Sequence, residues 1–401
     1  MYLSRFGVKN YKCLADVDIP LTPIHVLIGP NDAGKTSVLQ AMAALHRAAG
    51  TTSSLAEAFA FSWTGQELVF QGANTDTVEL FGYWEKLPSG NNEKESIGYG
   101  LSVRFPSEGR NCQLVDEWVE IEGRRDRLRS VIGPTFSALA AFRKGDVSAD
   151  SPHYGALKQL CKIIRPAQLY SFNPAKMGLP AALDESRKFR MDRDGFGLPT
   201  LLHDIMMHET RRFEDLSKHF CELFRQFERI QLETEPAIDR GSSTQGLHLE
   251  SRKETGIGLR LITKSGKVIR GQQLSDGTLL VLGFLSLAYL PNPPGLLLIE
   301  EPENGIYPKR LEQVIELLRA IVREKAGPQI VFTTHSPFVV SSFEPEEVTF
   351  LSRDRSRPEA GVRARPLREV PKLRERLGDQ FYLGELWYNL SEEEVFGELP
   401  A

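Results

Sequence analysis

Short apolar runs alternate with segments of helical spacing along this chain, and that alternation sets the expected elements. Residues 4–8 alternate as a strand should, a turn is expected at Lys9-Asn10, and residues 17–19 read as a second strand. Residues 24–28 form a short, mostly apolar run, the pattern of a buried strand. Residues 38–47 are apolar at helical spacing. Between 51 and 131 the pattern changes to Thr/Val/Phe/Tyr alternation at 77–84 and 98–105, with polar turns such as Ser89-Gly90-Asn91-Asn92, and predicts a β-rich arm or lid. Residues 157–164 and 184–230 read as helical. There Leu201, Ile205, Phe213, Leu216, Phe220, Phe224 and Phe227 are expected to line one face as a core stripe, too short for a coiled-coil arm. Strands return at 259–263 and 267–269. A helix at 278–290, a very apolar strand at 295–299, a helix at 309–324 and a strand at 329–333 follow. Strands alternating with helices predict an α/β fold with a parallel-rich sheet. The expected plan is a head split in sequence. Its N-terminal half is 1–50, an inserted β-rich arm and helical lobe is 51–235, its C-terminal half is 236–352, and an Arg-rich tail is 353–401. An insertion of that size exceeds a loop and must carry its own structure.

Composition narrows this picture in three ways. With 401 residues the chain can bury a large core. A net charge of −4 supplies no global field toward nucleic acid, so any such contact must come from local patches. The four cysteines, Cys13, Cys112, Cys161 and Cys221, fit no metal-ligand spacing and read as reduced thiols, which points to a cytoplasmic setting. The N-terminus lacks the pattern of a secretory leader, and no apolar run approaches the roughly 20 residues that span a bilayer. No membrane partner is expected.

Four elements carry candidate chemistry. Gly29-Pro30-Asn31-Asp32-Ala33-Gly34-Lys35-Thr36-Ser37 matches the phosphate-loop pattern in full, between a predicted strand and a predicted helix. Its glycines let the backbone wrap the phosphates, and the following helix offers its positive end. Lys35 is expected between the β and γ phosphates of ATP and Thr36 on Mg²⁺, with Asn31, Gly34 and Ser37 completing the ATP contacts. Leu296-Leu297-Leu298-Ile299 delivers the adjacent carboxylates Glu300 and Glu301 to a strand end. Neighbouring residues on a strand face opposite ways, so two roles are natural. Glu300 would serve the Mg²⁺ shell through water, and Glu301 would polarise the attacking water. Ser275-Asp276-Gly277-Thr278 opens an apolar helix and could present a hydroxyl and bare N–H groups to an anion, or be a plain N-cap. His335, in Thr334-His335-Ser336-Pro337, could reach a γ-phosphate or be structural.

In this order the four elements resemble the ABC-type ATPase head, in the branch of RecF, SMC and OLD-like proteins and the related AAA-named defence ATPases. Phe6-Gly7-Val8-Lys9-Asn10-Tyr11-Lys12, Asp194-Gly195-Phe196-Gly197-Leu198 and Glu303-Asn304-Gly305-Ile306-Tyr307-Pro308 extend the likeness. The fold implied is a P-loop ABC-type ATPase head with a β-rich arm and a helical insertion. The resemblance implies a homodimer closed around two ATP molecules. Ser275 and Gly277 would then contact ATP held by the partner, His335 would act as switch histidine, and Asn304 and Gly305 would link the two sites. Three departures stand out. Glu300 precedes Glu301 where transporter members have Asp then Glu. Asp276 stands where they have Gly. The glutamine that senses Mg²⁺ has only Gln66 and Gln71 as candidates.

Two functions compete. One is a DNA-linked ATPase of repair or anti-phage defence. The other is a nucleotide-gated regulatory subunit controlling a separate effector protein. A transporter subunit fits worse, because the phosphate loop and Ser275 lie too far apart. OLD-like relatives often carry a fused nuclease domain after the ATPase, and none is expected in the stretch that follows residue 351. The tail has about nine basic against four acidic residues over 353–376, and Arg124, Arg125, Arg127 and Arg129 form a second cluster. Each reads as a solvated surface or a contact to DNA or a protein. Trp387 and Tyr388, flanked by Glu385 and Glu392 to Glu394, would dock back on the head or onto a partner.

Overall fold

A computed structural model of the chain describes residues 1–50, 54–59, 65–86, 95–106, 112–128, 133–238, 251–323, 327–353, 358–370, 373, 382–389 and 392–396. Its strands in the N-terminal half are β1 (Tyr2–Tyr11), β2 (Leu14–Pro20), β3 (Ile24–Ile28), β4 (Thr77–Glu85), β5 (Ser96–Arg104), β6 (Gln113–Ile121), β7 (Arg124–Arg127), β8 (Ala167–Tyr170) and β9 (Ala181–Ala182). They are followed by β10 (Phe227–Ile238), β11 (Ser251–Thr263), β12 (Val268–Arg270), β13 (Leu296–Glu300), β14 (Gln329–Thr334), β15 (Val348–Arg353) and β16 (Val362–Pro366). The chain divides into two units. The first comprises Met1–Leu169, Pro294–Ile299 and Pro328–Ala401, the second Tyr170–Pro293 and Glu300–Gly327.

Two six-stranded sheets build the first unit. One has the order β2-β1-β4-β5-β6-β7, with every neighbour antiparallel. The strands expected as an arm thus continue the N-terminal hairpin through the β1–β4 pairing. The hairpin also turns later than expected. β1 runs through Lys9 and Asn10 to Tyr11, and Tyr11 pairs with Leu14 across the turn. The second sheet has the order β16-β15-β3-β14-β13-β8. β3 is buried along its whole length and runs parallel to both β14 and β15, as a short apolar run predicts. The helix Lys35–Gly50 contacts β1 and β4 of one sheet and β14 of the other. It is buried nearly all round, which explains its run of small and apolar residues.

Polar side chains stitch this core at places where an unpaired backbone group would be costly. Gln329 Oε1 accepts from the Leu3 amide at 2.8 Å, and its Nε2 donates to the Leu3 and Thr22 carbonyls, so the start of β14 is tied to β1. The last turn of the helix Lys35–Gly50 has its free carbonyls satisfied by Ser137 Oγ (Ala48, 2.6 Å) and Arg143 Nε (Ala49, 3.0 Å). His25 joins Thr22 on its own side to Thr349 on β15. Burial pushes its imidazole down to about 3, so it stays neutral.

Glu117 on β6 is 1% exposed and accepts from Tyr99 Oη (2.8 Å) and from the amides of Ala138 (2.6 Å) and Leu139 (3.4 Å). Burial outweighs these donors and pushes its carboxyl up to about 7. A raised carboxyl means that the folded state binds more protons than the unfolded one between pH about 4.5 and 7. Glu117 therefore lowers stability as pH rises through that window. Glu117→Gln, compared with the parent by denaturant unfolding at several pH values, should gain relative to it from pH 4.5 to 7 and run parallel above. A difference independent of pH would mean that Glu117 stays ionised throughout.

In the second unit β10 and β11 form a long hairpin, with β12 and the short β9 both pairing to β11. Helices Leu198–His208, Thr210–Leu223, Asp276–Ala288 and Pro308–Arg323 accompany them. The helical stripe expected through Phe227 is cut short. The helix ends at Leu223, and Phe227 opens β10. Phe220 stacks on Phe224 (centroids 4.8 Å) and on Phe227 (5.9 Å), so the three rings form one cluster across a helix-to-strand junction. All four cysteines are free thiols.

Candidate functional site

The phosphate loop leaves the carboxyl end of β3 and turns at Asn31-Asp32 into the helix Lys35–Gly50. Two of its glycines hold backbone that a side chain could not share. Gly29 has φ 147°, and a Cβ there would lie 2.0 Å from the Leu351 carbonyl oxygen. Gly34 has φ 82°, and its Cβ would press on Val362 and on Cys13 Sγ. Asp32 also adopts a left-handed conformation, at φ 66°. Lys35 is 7% exposed, and its Nζ donates to the Gly29 and Pro30 carbonyls, both at 2.9 Å. The ammonium is thus held over the mouth of the loop.

Beside the loop lies a cavity of about 670 Å³. Its lining includes Lys12, Cys13, Thr36, Ser37, Gln40, Phe70, Gln71 and Arg353. Of the two candidate glutamines, Gln71 lines this cavity beside Thr36, whereas Gln66 sits in the 3-10 turn Gly65–Leu68. Lys12, part of the likeness at residues 6–12 and not among the expected site residues, reaches the same cavity and donates to Gln40 Oε1. Thr334 pairs with Ile28 in parallel register, so the next residues, His335 and Gly29, leave neighbouring strands at the same edge. That register is what brings a histidine distant in sequence next to the phosphate loop. The helix Leu383–Asn389 packs on the helix Pro337–Val340 just beyond His335. A Cβ on Gly384 would lie 1.9 Å from the Pro337 carbonyl oxygen, and the Gly384 amide donates to Ser341 Oγ.

The second unit gathers a different set. β13 runs directly into Glu300, whose side chain is 12% exposed, and Oε2 accepts from Arg193 Nη2 at 2.7 Å. Glu300 Oε1 is buried and has no hydrogen-bond partner among the described residues. Glu301 adopts φ 44°, a strained conformation for a residue with a Cβ, and Asn304 Nδ2 donates to its Oε2 at 2.7 Å. Ser275 N-caps the helix Asp276–Ala288, accepting from the Thr278 amide at 3.4 Å and lying 2.8 Å from Thr278 Oγ1. A Cβ on Gly277 would stand 2.9 Å from the Gly305 carbonyl oxygen. The helix start and the loop after Glu301 therefore pack backbone to backbone, and neither Gly277 nor Gly305 tolerates a larger residue.

A Mg²⁺ ion of the phosphate-loop kind takes a hydroxyl, a carboxylate and substrate phosphates, not an all-protein cage. Among the described residues no group of three or more His, Cys, Asp or Glu side chains is arranged to hold a metal. Taken unit by unit, Thr36 at the cavity wall of the first is of the hydroxyl type, and in the second the orphaned Glu300 Oε1 is of the carboxylate type that accepts from a metal-bound water. The residues fit the group. No helix among the described residues is long and apolar enough to cross a membrane.

Three comparisons bear on this arrangement. The sequence model of the family described as "AAA domain, putative AbiEii toxin, Type IV TA system" matches residues 149–341, and that of an AAA ATPase domain matches residues 1–97. An OLD nuclease of Thermus scotoductus is 52% identical over 40 residues, which are 10% of this chain and 8% of that protein. The chain thus covers only a small part of that relative. Among solved structures, the SMC head bound to the C-winged helix domain of ScpA matches with a TM-score of 0.51 at 16% identity, over 92% of this chain and 99% of that one. At that identity the likeness concerns the fold.

Proposed function

We propose that this chain, an ATPase head of the SMC/RecF/OLD-like kind, binds Mg²⁺-ATP on the loop at Lys35 and hydrolyses it with Glu301 as the group that orients water. The observation that carries this reading is the phosphate loop itself, with glycines at its two closest approaches and Thr36 and Ser37 on the wall of a cavity of nucleotide size. Lys35 pairs with the β and γ phosphates, with Asn31 and Gly34 beside it. Mg²⁺, when bound, neutralises charge between those phosphates. Glu301 accepts a hydrogen bond from the attacking water as its oxygen bonds to the γ-phosphorus and the β–γ bridging oxygen leaves with its electron pair. His335 hydrogen-bonds the γ-phosphate. Phosphate release from ATP by the purified chain, lost in Lys35 variants, tests the reading.

The working form in this reading is a homodimer, with Ser275 and Gly277 of one copy completing the phosphate contacts of the other. The N-capped start of the helix Asp276–Ala288 supports it, because such a start offers partial positive charge and free amides to an anion. Ser275→Arg should still bind ATP, since the phosphate loop is untouched. It should lose turnover by about 100-fold or more, the scale of removing oriented donors from a transition state. Turnover at the parental rate would reduce Ser275 to a helix cap.

The biological output proposed is DNA repair or anti-phage defence. A gated effector protein is the second reading, and one observation favours it. Arg124, Arg125 and Arg127 are paired with Asp126, Glu120 and Asp116, so among the described residues this hairpin presents no free row of cations to a DNA backbone, Arg129 lying outside them. The similar SMC head carries a protein domain, the winged helix of ScpA.

A further inference from the structure

The segment Met191-Asp192-Arg193-Asp194-Gly195-Phe196 is built around one side chain. Its turn closes through the Asp192 amide to the Phe196 carbonyl (2.8 Å) and the Gly195 amide to the Asp192 carbonyl (2.9 Å), with Gly195 at φ 83°. The Arg193 carbonyl accepts from the Ser171 amide and the Asp194 carbonyl from the Asn173 amide, both at 2.8 Å. Both acids that flank Arg193 are committed elsewhere. Asp192 is paired with Arg187, and Asp194 with Lys176 at 2.7 Å while also accepting from the Phe196 amide. The Arg193 guanidinium reaches across 107 residues of sequence to Glu300 Oε2.

The pairing is one-sided. Arg193 could engage a carboxylate with two parallel hydrogen bonds, yet only Oε2 is engaged, and Oε1 stays buried without a partner among the described residues. A buried acceptor left open costs stability unless something occupies it in the working state. We propose that Arg193 is a positioning residue for Mg²⁺-nucleotide binding. It fixes the rotamer of Glu300 through one oxygen so that the other is aimed at water in the Mg²⁺ shell. The inference rests on the ATP-binding reading above. A carboxylate oriented by a second side chain is how metal sites gain affinity beyond their ligands, and removal of such a partner typically costs about 10–100-fold. With few protein carboxylates for the ion, this orientation matters more than in a crowded site.

The test uses the full chain and a fluorescent ATP analogue, titrated in EDTA and at rising MgCl₂. In the parent, Mg²⁺ should tighten nucleotide binding. Arg193→Ala should bind as the parent does in EDTA but need about tenfold more Mg²⁺ to reach half of the tightening. Arg193→Lys, which keeps the charge, should recover part of the shift. Arg193→Gln serves in place of Arg193→Ala if the alanine variant does not fold. Arg193→Ala combined with Glu300→Gln should be no worse than Glu300→Gln alone, since the arginine acts through that carboxylate. An unchanged Mg²⁺ midpoint in the Ala and Gln variants, or full additivity in the double variant, overturns the proposal while leaving the ATP reading intact. A parent that binds the analogue identically with and without Mg²⁺ overturns the proposal, and one that does not bind the analogue at all overturns the ATP reading as well.

Discussion

Lys35→Ala is expected to raise the dissociation constant for ATP by at least about 100-fold while leaving the chain folded. The size follows from what the side chain gives. Hydrogen bonds to charged groups are worth about 1.5–3 kcal/mol each. Lys35 has three donors and one charge to offer the phosphates, and about 1.4 kcal/mol is tenfold in affinity. In the structure the same ammonium donates to the Gly29 and Pro30 carbonyls, so its loss also frees the loop that shapes the site. Lys35→Met separates the two effects, because it keeps the apolar stem and lacks the donors. Both variants should bind a fluorescent ATP analogue weakly and should show the parental far-ultraviolet dichroism. Parental affinity in either would remove the phosphate loop from the nucleotide site. Weak binding with lost dichroism in both would show that the stem and ammonium are needed for folding.

The phosphate loop was legible in the sequence because everything that defines it is local. A five-residue apolar strand, two glycines forced by close approaches, a lysine and a helix lie within 27 residues at 24–50. The apolar run before Glu300 and the N-cap at Ser275 were legible for the same reason. The stripe through Phe220, Phe224 and Phe227 misled because spacings of four and three fit a helix as well as a ring cluster at a junction. The alternation of Ile230, Leu232 and Thr234 with Gln231 and Glu233 carried the strand signal that the aromatic spacing masked. Arg193 was out of reach. Nothing in Asp192-Arg193-Asp194 reveals that both flanking acids are taken by Arg187 and Lys176, and its partner lies 107 positions away. Gln71 could not be told from Gln66 by sequence, since what favours it is a cavity closed by residues near 12, 36, 71 and 353.

Glu301→Gln should bind ATP with parental affinity and turn it over at least about 100-fold more slowly, the lower end of what a positioned acid–base group contributes. The substitution is nearly isosteric, and the structure shows why the loop should tolerate it. Asn304 Nδ2 donates to one carboxylate oxygen of Glu301, and a glutamine can turn its own carbonyl oxygen to the same donor. The left-handed backbone at φ 44° is set by the turn after β13 and asks nothing of the charge. What is lost is the anionic acceptor that orients water, and with it the step that ends the ATP-bound state. In the proposed dimer each ATP lies between Lys35 of one copy and the Ser275 helix start of the other, so a nucleotide that is held but not cleaved should act as glue. Light scattering of Glu301→Gln should therefore report a monomer without nucleotide and a dimer with Mg²⁺-ATP. Adding Ser275→Arg should return the doubly substituted chain to a monomer with ATP still bound. Parental turnover in Glu301→Gln would move the catalytic role to another residue. A slow variant that binds ATP yet stays monomeric would keep that role and discard the ATP-closed dimer.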